Sequence, residues 1–99
     1  MSDSFIVVRA EVGELPVKTR YIPARKIDET HACPVEFAAV GVRYFKSAKN
    51  ARREIRRNLN KEVDGLLWTV DNRLLAIEHN QNIRLIMQGG HSIPVMRVR

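Results

Sequence analysis

The apolar positions near the start of the chain follow the spacing of β-strands. An almost continuous run of apolar and β-branched residues covers 5–12, and apolar and polar residues alternate over 17–22. The segment Gly13-Glu14-Leu15-Pro16 between them is typical of a turn. Two short strands joined by a turn are therefore predicted, and Pro23 is expected to end the second strand.

The next part of the chain has a weaker pattern. Residues 24–34 show no regular period, so we expect a loop with at most one helical turn. Residues 35–45 are ambiguous between helix and strand. The alternation from Val40 to Tyr44 favours a strand at the end of this segment, and Gly41 disfavours a helix through it.

The clearest element is a helix predicted from Ser47 to Val63. Ser47 is a favourable N-cap, and strong helix formers follow it. Apolar residues recur at steps of three and four and form one stripe that would face the core, namely Ala48, Ala51, Ile55 and Leu59. Asp64-Gly65 would end the helix, because glycine suits the left-handed C-cap conformation.

The pattern changes again after this helix. Residues 66–70 are mostly apolar and predict a short buried strand. Asp71-Asn72 can cap a second, shorter helix that runs from Arg73 to about Asn80. Residues 83–87 fit either an extension of that helix or another strand.

A turn at Gly89-Gly90 leads into a final strand over 93–98, with Pro94 at its start or on an edge. Together these elements predict a single α+β domain over residues 1–99. We expect a small mixed or antiparallel β-sheet with one basic amphipathic helix and a second shorter helix.

The balance of charge points to an acidic partner. Seventeen Lys and Arg against eleven Asp and Glu give a formal net charge of +6. Such a field attracts polyanions, and nucleic acid, an anionic membrane and an acidic protein surface are all compatible with it. The longest apolar runs are about four residues, too short to span a membrane. The expected partner is nucleic acid or an acidic protein surface, and not a membrane. The alternative is a basic surface that is merely solvated.

The basic residues concentrate on the long helix. Those at spacings of four lie on one side and leave the apolar stripe free for the core. The predicted helix carries six basic residues, namely Lys49, Arg52, Arg53, Arg56, Arg57 and Lys61. Clustered arginines repel one another, and phosphates relieve that repulsion with release of counterions. Nucleic-acid binding is therefore predicted, with DNA and RNA both open. The alternative is a solvated face that pairs with carboxylates elsewhere.

A second group of residues carries a family resemblance. The order of Asp64-Gly65-Leu66-Leu67-Trp68-Thr69-Val70, then Asp71-Asn72-Arg73-Leu74-Leu75-Ala76, then Ile93-Pro94-Val95 resembles the ParB/sulfiredoxin-like fold. That fold includes chromosome-partitioning proteins, phosphate-handling enzymes and small nuclease-like domains. The resemblance implies phosphate contacts from the turn at Asp71, Asn72 and Arg73, and it leaves a nuclease activity open. Otherwise Asp71 is simply a cap and Arg73 a surface residue.

A second resemblance concerns the final strand. Ile93-Pro94-Val95-Met96-Arg97 is similar to the end of LytTR-type DNA-binding domains. A further alternative, from another functional class, is an interaction or inhibitor module that docks its basic helix on an acidic protein surface.

Candidate residues for metal chemistry are few. His31 and Cys33 are two positions apart without further ligands, and His79 and His91 lack a metal-binding context. We therefore expect no metal and no cofactor. The single cysteine fits a reducing compartment, and the start of the chain does not have the pattern of a signal peptide. The expected location is cytoplasmic.

Overall fold

The computed structural model describes residues 4–12, 18–37, 41–70 and 93–97. Within these residues lie seven strands and one helix. In chain order they are β1 (Ser4–Val12), β2 (Lys18–Lys26), β3 (His31–Pro34), β4 (Glu36–Phe37), β5 (Gly41–Val42), α1 (Ala48–Leu59), β6 (Val63–Val70) and β7 (Ile93–Arg97).

Five of the strands form a closed barrel in the order β1-β2-β3-β7-β6, and β4 and β5 pair separately as a two-stranded sheet. β1 and β2 are antiparallel from Ser4↔Lys26 to Val12↔Lys18. The barrel closes through a parallel pairing of β1 with β6. Two parallel neighbouring strands must be joined by a connection that crosses back to the end where the first strand begins. α1 immediately precedes β6 and lies in the connection that brings the chain back to this end of β1.

The apolar run at the start of the chain is explained by burial on both faces of β1. Phe5 and Val7 pack outward against Ala51 and Ile55 of α1. The alternate positions face the barrel interior, where they belong to a second core cluster. That cluster contains Ile6, Val8, Ala10, Ile22, Ala24, Ala32, Trp68, Val70 and Val95. A strand segment covered on both sides needs apolar residues at every position, so Phe5, Ile6, Val7 and Val8 show no alternation.

The helix begins as the sequence predicts but ends earlier. The hydroxyl of the N-cap Ser47 accepts a hydrogen bond from the backbone N–H of Asn50 at 3.2 Å. Asn60 takes the left-handed conformation, with φ 53°, and its N–H donates to the carbonyl of Arg56 at 3.1 Å. Asparagine tolerates this conformation better than most residues. The predicted stop at Gly65 is therefore wrong, because Gly65 lies within β6.

The expected fold class needs correction. The described part of the chain is mostly β-structure, a closed barrel with a single helix, and not an α+β sheet with two helices. A small sheet that closes on itself removes its exposed edges, which an open sheet would have to cover. The second helix, predicted from Arg73 to about Asn80, lies outside the described residues, as do residues 83–87.

The prediction of a loop over 24–34 was also wrong. β2 continues through Pro23 to Lys26, and β3 occupies much of the remainder. The carbonyl of Pro23 accepts a hydrogen bond from the N–H of Val35 at 3.0 Å. Along a β-strand, the backbone groups of successive residues point alternately to the two neighbouring strands. Pro23 lacks an N–H, so only one hydrogen bond between β2 and a neighbouring strand is lost at this position.

Candidate nucleic-acid interface

The outward face of α1 is determined by what its inward face buries. Ala51 and Ile55 have no exposed surface and pack against Phe5, Val7 and Val63 of the barrel wall. The apolar stripe predicted from the sequence is thus the contact with the barrel. The helix is held at a fixed orientation, and Lys49, Arg53, Arg56 and Arg57 on the side away from this contact are exposed.

Four predicted site residues share the solvent side of α1, and we call them the basic face. They are Lys49, Arg53, Arg56 and Arg57, and all four are exposed. Among the described residues, no carboxylate lies within 4.0 Å of any of them. Arg56 and Arg57 lie in the last turn of the helix, where the helix dipole favours positive charge.

Arg52, the fifth predicted basic site residue of the helix, has a different environment. Its side chain is partly buried, and Nη2 donates a hydrogen bond to the carbonyl oxygen of Gly65 at 3.1 Å. Its Nε is buried and has no partner in the part of the chain that is described. Arg52 therefore connects α1 to β6, and only part of its guanidinium group is available to a ligand.

The one acidic residue of α1 does not neutralise the basic face. Glu54 is partly buried and accepts a hydrogen bond from Arg43 Nη1 at 2.5 Å. The amide of Asn58 also donates to the same carboxylate oxygen. The Glu54 carboxylate is therefore paired with Arg43, which precedes the helix, and not with a cation of the basic face.

The turn implied by the ParB-like resemblance cannot be placed. Asp71, Asn72 and Arg73 lie outside the described residues, and β6 ends just before them at the buried Val70. A phosphate contact from Asn72 and Arg73 therefore stays a prediction.

A further cluster of cations lies against the buried Trp68. The Lys26 ammonium is 4.8 Å and the Arg97 guanidinium carbon 5.3 Å from the centre of its ring. Lys26 also forms an ion pair with Glu29 at 3.2 Å. These cations are attracted to the electron-rich face of the indole, so they differ from the unpaired cations of the basic face.

A polar hollow that sequence reasoning missed lies on the outer wall of the barrel. We call it the outer groove; it has a volume of about 350 Å³. Its lining consists of Arg9, Ala10, Glu11, Thr19, Tyr21 and Thr69. The sequence does carry a signal for this site. At the end of β1 the continuous apolar run changes to the alternation Arg9-Ala10-Glu11, which indicates that one face of the strand is polar there.

Among the described residues, no three His, Cys, Asp or Glu side chains come together as metal ligands. His31 instead lies 3.2 Å from Asp28 in the turn between β2 and β3. His79 and His91 lie outside the described residues. In the same part of the chain, no helix has the length and apolar character required to cross a membrane.

The described residues thus define a small β-barrel that carries one helix with an unpaired basic face. Comparison with known proteins adds no relative, since no family model, curated protein or solved structure matches this chain.

Proposed function

We propose that this domain binds nucleic acid through the basic face of α1. The observation that supports this is the presence of four exposed cations on one helix with no carboxylate near them in the described structure. Surface charges that serve only solubility are usually interspersed with the opposite sign. The local acid, Glu54, is instead held by Arg43.

The physical gain on binding comes from the backbone phosphates. Neighbouring cations on a helix repel one another, and each phosphate contact replaces that repulsion with attraction and releases a condensed counterion. Arginine also binds phosphate through two parallel N–H donors. The helix is already fixed to the barrel by Ala51 and Ile55, so binding need not order its backbone, and the entropy cost is confined to the side chains.

Such a binding domain would act in a reducing compartment such as the cytoplasm. Cys33 is the only cysteine of the chain, so no disulfide within the chain contributes to its stability. Binding of this kind reads the backbone and carries no sequence preference by itself.

The test compares two double variants with the same change in net charge. Arg53→Glu with Arg57→Glu alters the basic face, and Lys18→Glu with Arg25→Glu alters two exposed cations on the barrel. Binding to labelled DNA and RNA is measured by fluorescence anisotropy over a series of salt concentrations. We expect the helix variant to lose at least tenfold in affinity and the slope of log K against log salt to fall by about 1.4–1.8.

Equal losses in the two variants would mean that net charge alone drives binding, which contradicts an interface on α1. Retention of wild-type affinity by the helix variant contradicts the proposal directly. Failure of the wild type to bind any nucleic acid near 50 mM salt would leave the acidic protein surface as the better explanation of the basic face.

A further inference from the structure

The outer groove lies on the part of β1 beyond the residues that pack under α1. Phe5 and Val7 lie under the helix. The next two outward positions of β1, Arg9 and Glu11, do not belong to this cluster, and both line the outer groove.

Strand register brings the polar side chains of the groove together. Arg9 is the partner of Tyr21 in β2 and of Thr69 in β6. Glu11 is the partner of Thr19 in β2. Residues paired in neighbouring strands present their side chains on the same face. The groove therefore combines a cation, a carboxylate, hydroxyl groups and an aromatic ring.

The groove opens beside the first turn of α1. Tyr21 exchanges two backbone hydrogen bonds with Phe45, at 2.8 and 2.9 Å. Phe45 lies two residues before the N-cap Ser47, and Lys49 of the basic face follows in the first turn. A nucleic-acid strand bound along the basic face would therefore reach the outer groove near the first turn of α1.

We propose that the outer groove receives one unstacked base of a single-stranded nucleic acid, and this proposal rests on the function proposed above. A bare phosphate is a poor occupant, because the carboxylate of Glu11 repels it. In the described part of the chain, neither Arg9 nor Glu11 has a side-chain ion pair or hydrogen bond. Both groups are thus available to a ligand that offers an acceptor and a donor together.

The carboxylate also indicates which bases fit. An ionised Glu11 only accepts hydrogen bonds, so it favours a base with an exocyclic amine, such as cytosine or adenine. Unpaired thymine and uracil offer only the ring N3–H as a donor, and the two carbonyl oxygens that flank it repel the carboxylate. Tyr21 is half-buried against the cluster under α1, and its side that lines the groove offers a surface on which a base can pack. The volume of the groove lies within the range of small-ligand sites. In a duplex the base edges are paired and stacked, so a duplex cannot place a base in the groove.

The experiment measures the base preference of the wild type and of Glu11→Gln. Oligonucleotides of cytosine, adenine and thymine are titrated as single strands, with RNA counterparts and a duplex of equal length. We expect Glu11→Gln to lower affinity for the cytosine strand by roughly tenfold relative to the thymine strand, because a charge-assisted hydrogen bond is lost. Glu36→Gln changes an exposed glutamate of β4 outside the groove, and it should keep the wild-type ranking.

The outcome separates this proposal from the one on which it rests. If Glu11→Gln and the wild type rank the strands identically, or if a duplex binds as tightly as a single strand, the base site is refuted. The function proposed for α1 then still stands, provided that Arg53→Glu with Arg57→Glu weakens binding. If that helix variant binds normally but the preference still depends on Glu11, the groove acts without the basic face.

Discussion

Arg52 Nη2 donates to the carbonyl oxygen of Gly65 at 3.1 Å, which joins the middle of α1 to the strand that follows it. The neighbouring Arg53 is exposed and belongs to the basic face. Two adjacent arginines of one helix therefore have different roles, one in holding the helix and the other in contact with solvent.

This difference gives a prediction for stability. Arg52→Ala removes a charge-assisted hydrogen bond and the packing of its aliphatic stem, so we expect a loss of about 1–3 kcal/mol in the free energy of unfolding. Arg53→Ala should change it by less than about 0.5 kcal/mol. Urea unfolding followed by circular dichroism measures both. Equal effects of the two substitutions would contradict a structural role for Arg52.

The packing of α1 on the barrel gives a second prediction. Ile55 is fully buried between the helix and the wall, so Ile55→Ala should destabilise the fold by about 2–5 kcal/mol. Ile27 is 53 % exposed, and Ile27→Ala serves as the control with the same atoms removed. The midpoint temperature of thermal unfolding should be clearly lower for Ile55→Ala than for Ile27→Ala. A small effect of Ile55→Ala would mean that the helix does not depend on this contact.

The end of α1 gives a third prediction. Asn60 has φ 53°, a conformation that alanine adopts only with strain. Asn60→Ala should therefore lower the free energy of unfolding by about 1 kcal/mol, whereas Asn60→Gly should be neutral or slightly stabilising. Urea midpoints compare the pair. A greater loss with glycine than with alanine would exclude a left-handed cap at this position.

A fourth prediction concerns the turn between β2 and β3. The backbone N–H of Thr30 donates to Asp28 Oδ1 at 2.8 Å, and together with His31 it lowers the pKa of that carboxyl below its ordinary value of 3.8. A carboxyl with a lowered pKa stabilises the folded state above the unfolded pKa, and this contribution is lost as pH falls through the folded pKa.

Asp28→Asn should therefore be less stable than the wild type at pH 7, and the difference should shrink as the pH falls below 3.8. Thermal unfolding at several pH values gives the comparison. Asp28 is exposed, so the effect should be small. A difference that grows with acidity has the wrong sign for this interpretation.

The sequence predicted α1 well because its signals are local. The N-cap at Ser47 and the apolar stripe lie within the helix itself, and both are confirmed. The end of the helix was missed because the residues after Asn60 are needed for a distant pairing. Val63 must reach the register position opposite Phe5, so the strand starts before Gly65.

The barrel was missed for the same reason. Closure depends on the parallel pairing of β1 with β6 and on the placement of β7 between β3 and β6, which local periodicity does not encode. The outer groove likewise follows from register between three strands. Only the contact with Gly65, thirteen positions along the chain, distinguishes Arg52 from the arginines of the basic face.

The burial of β1 on both faces has a consequence for how its register is chosen. The four residues from Phe5 to Val8 are all apolar, so a slip of one position would still place apolar side chains on both sides. The polar end of the strand makes the choice, because the same slip would turn Arg9 into the barrel interior and Ala10 toward the solvent. Arg9 and Glu11, which are proposed to contact a base, would then also fix the register of β1. A change that removes both charges would be expected to loosen the alignment of the whole barrel.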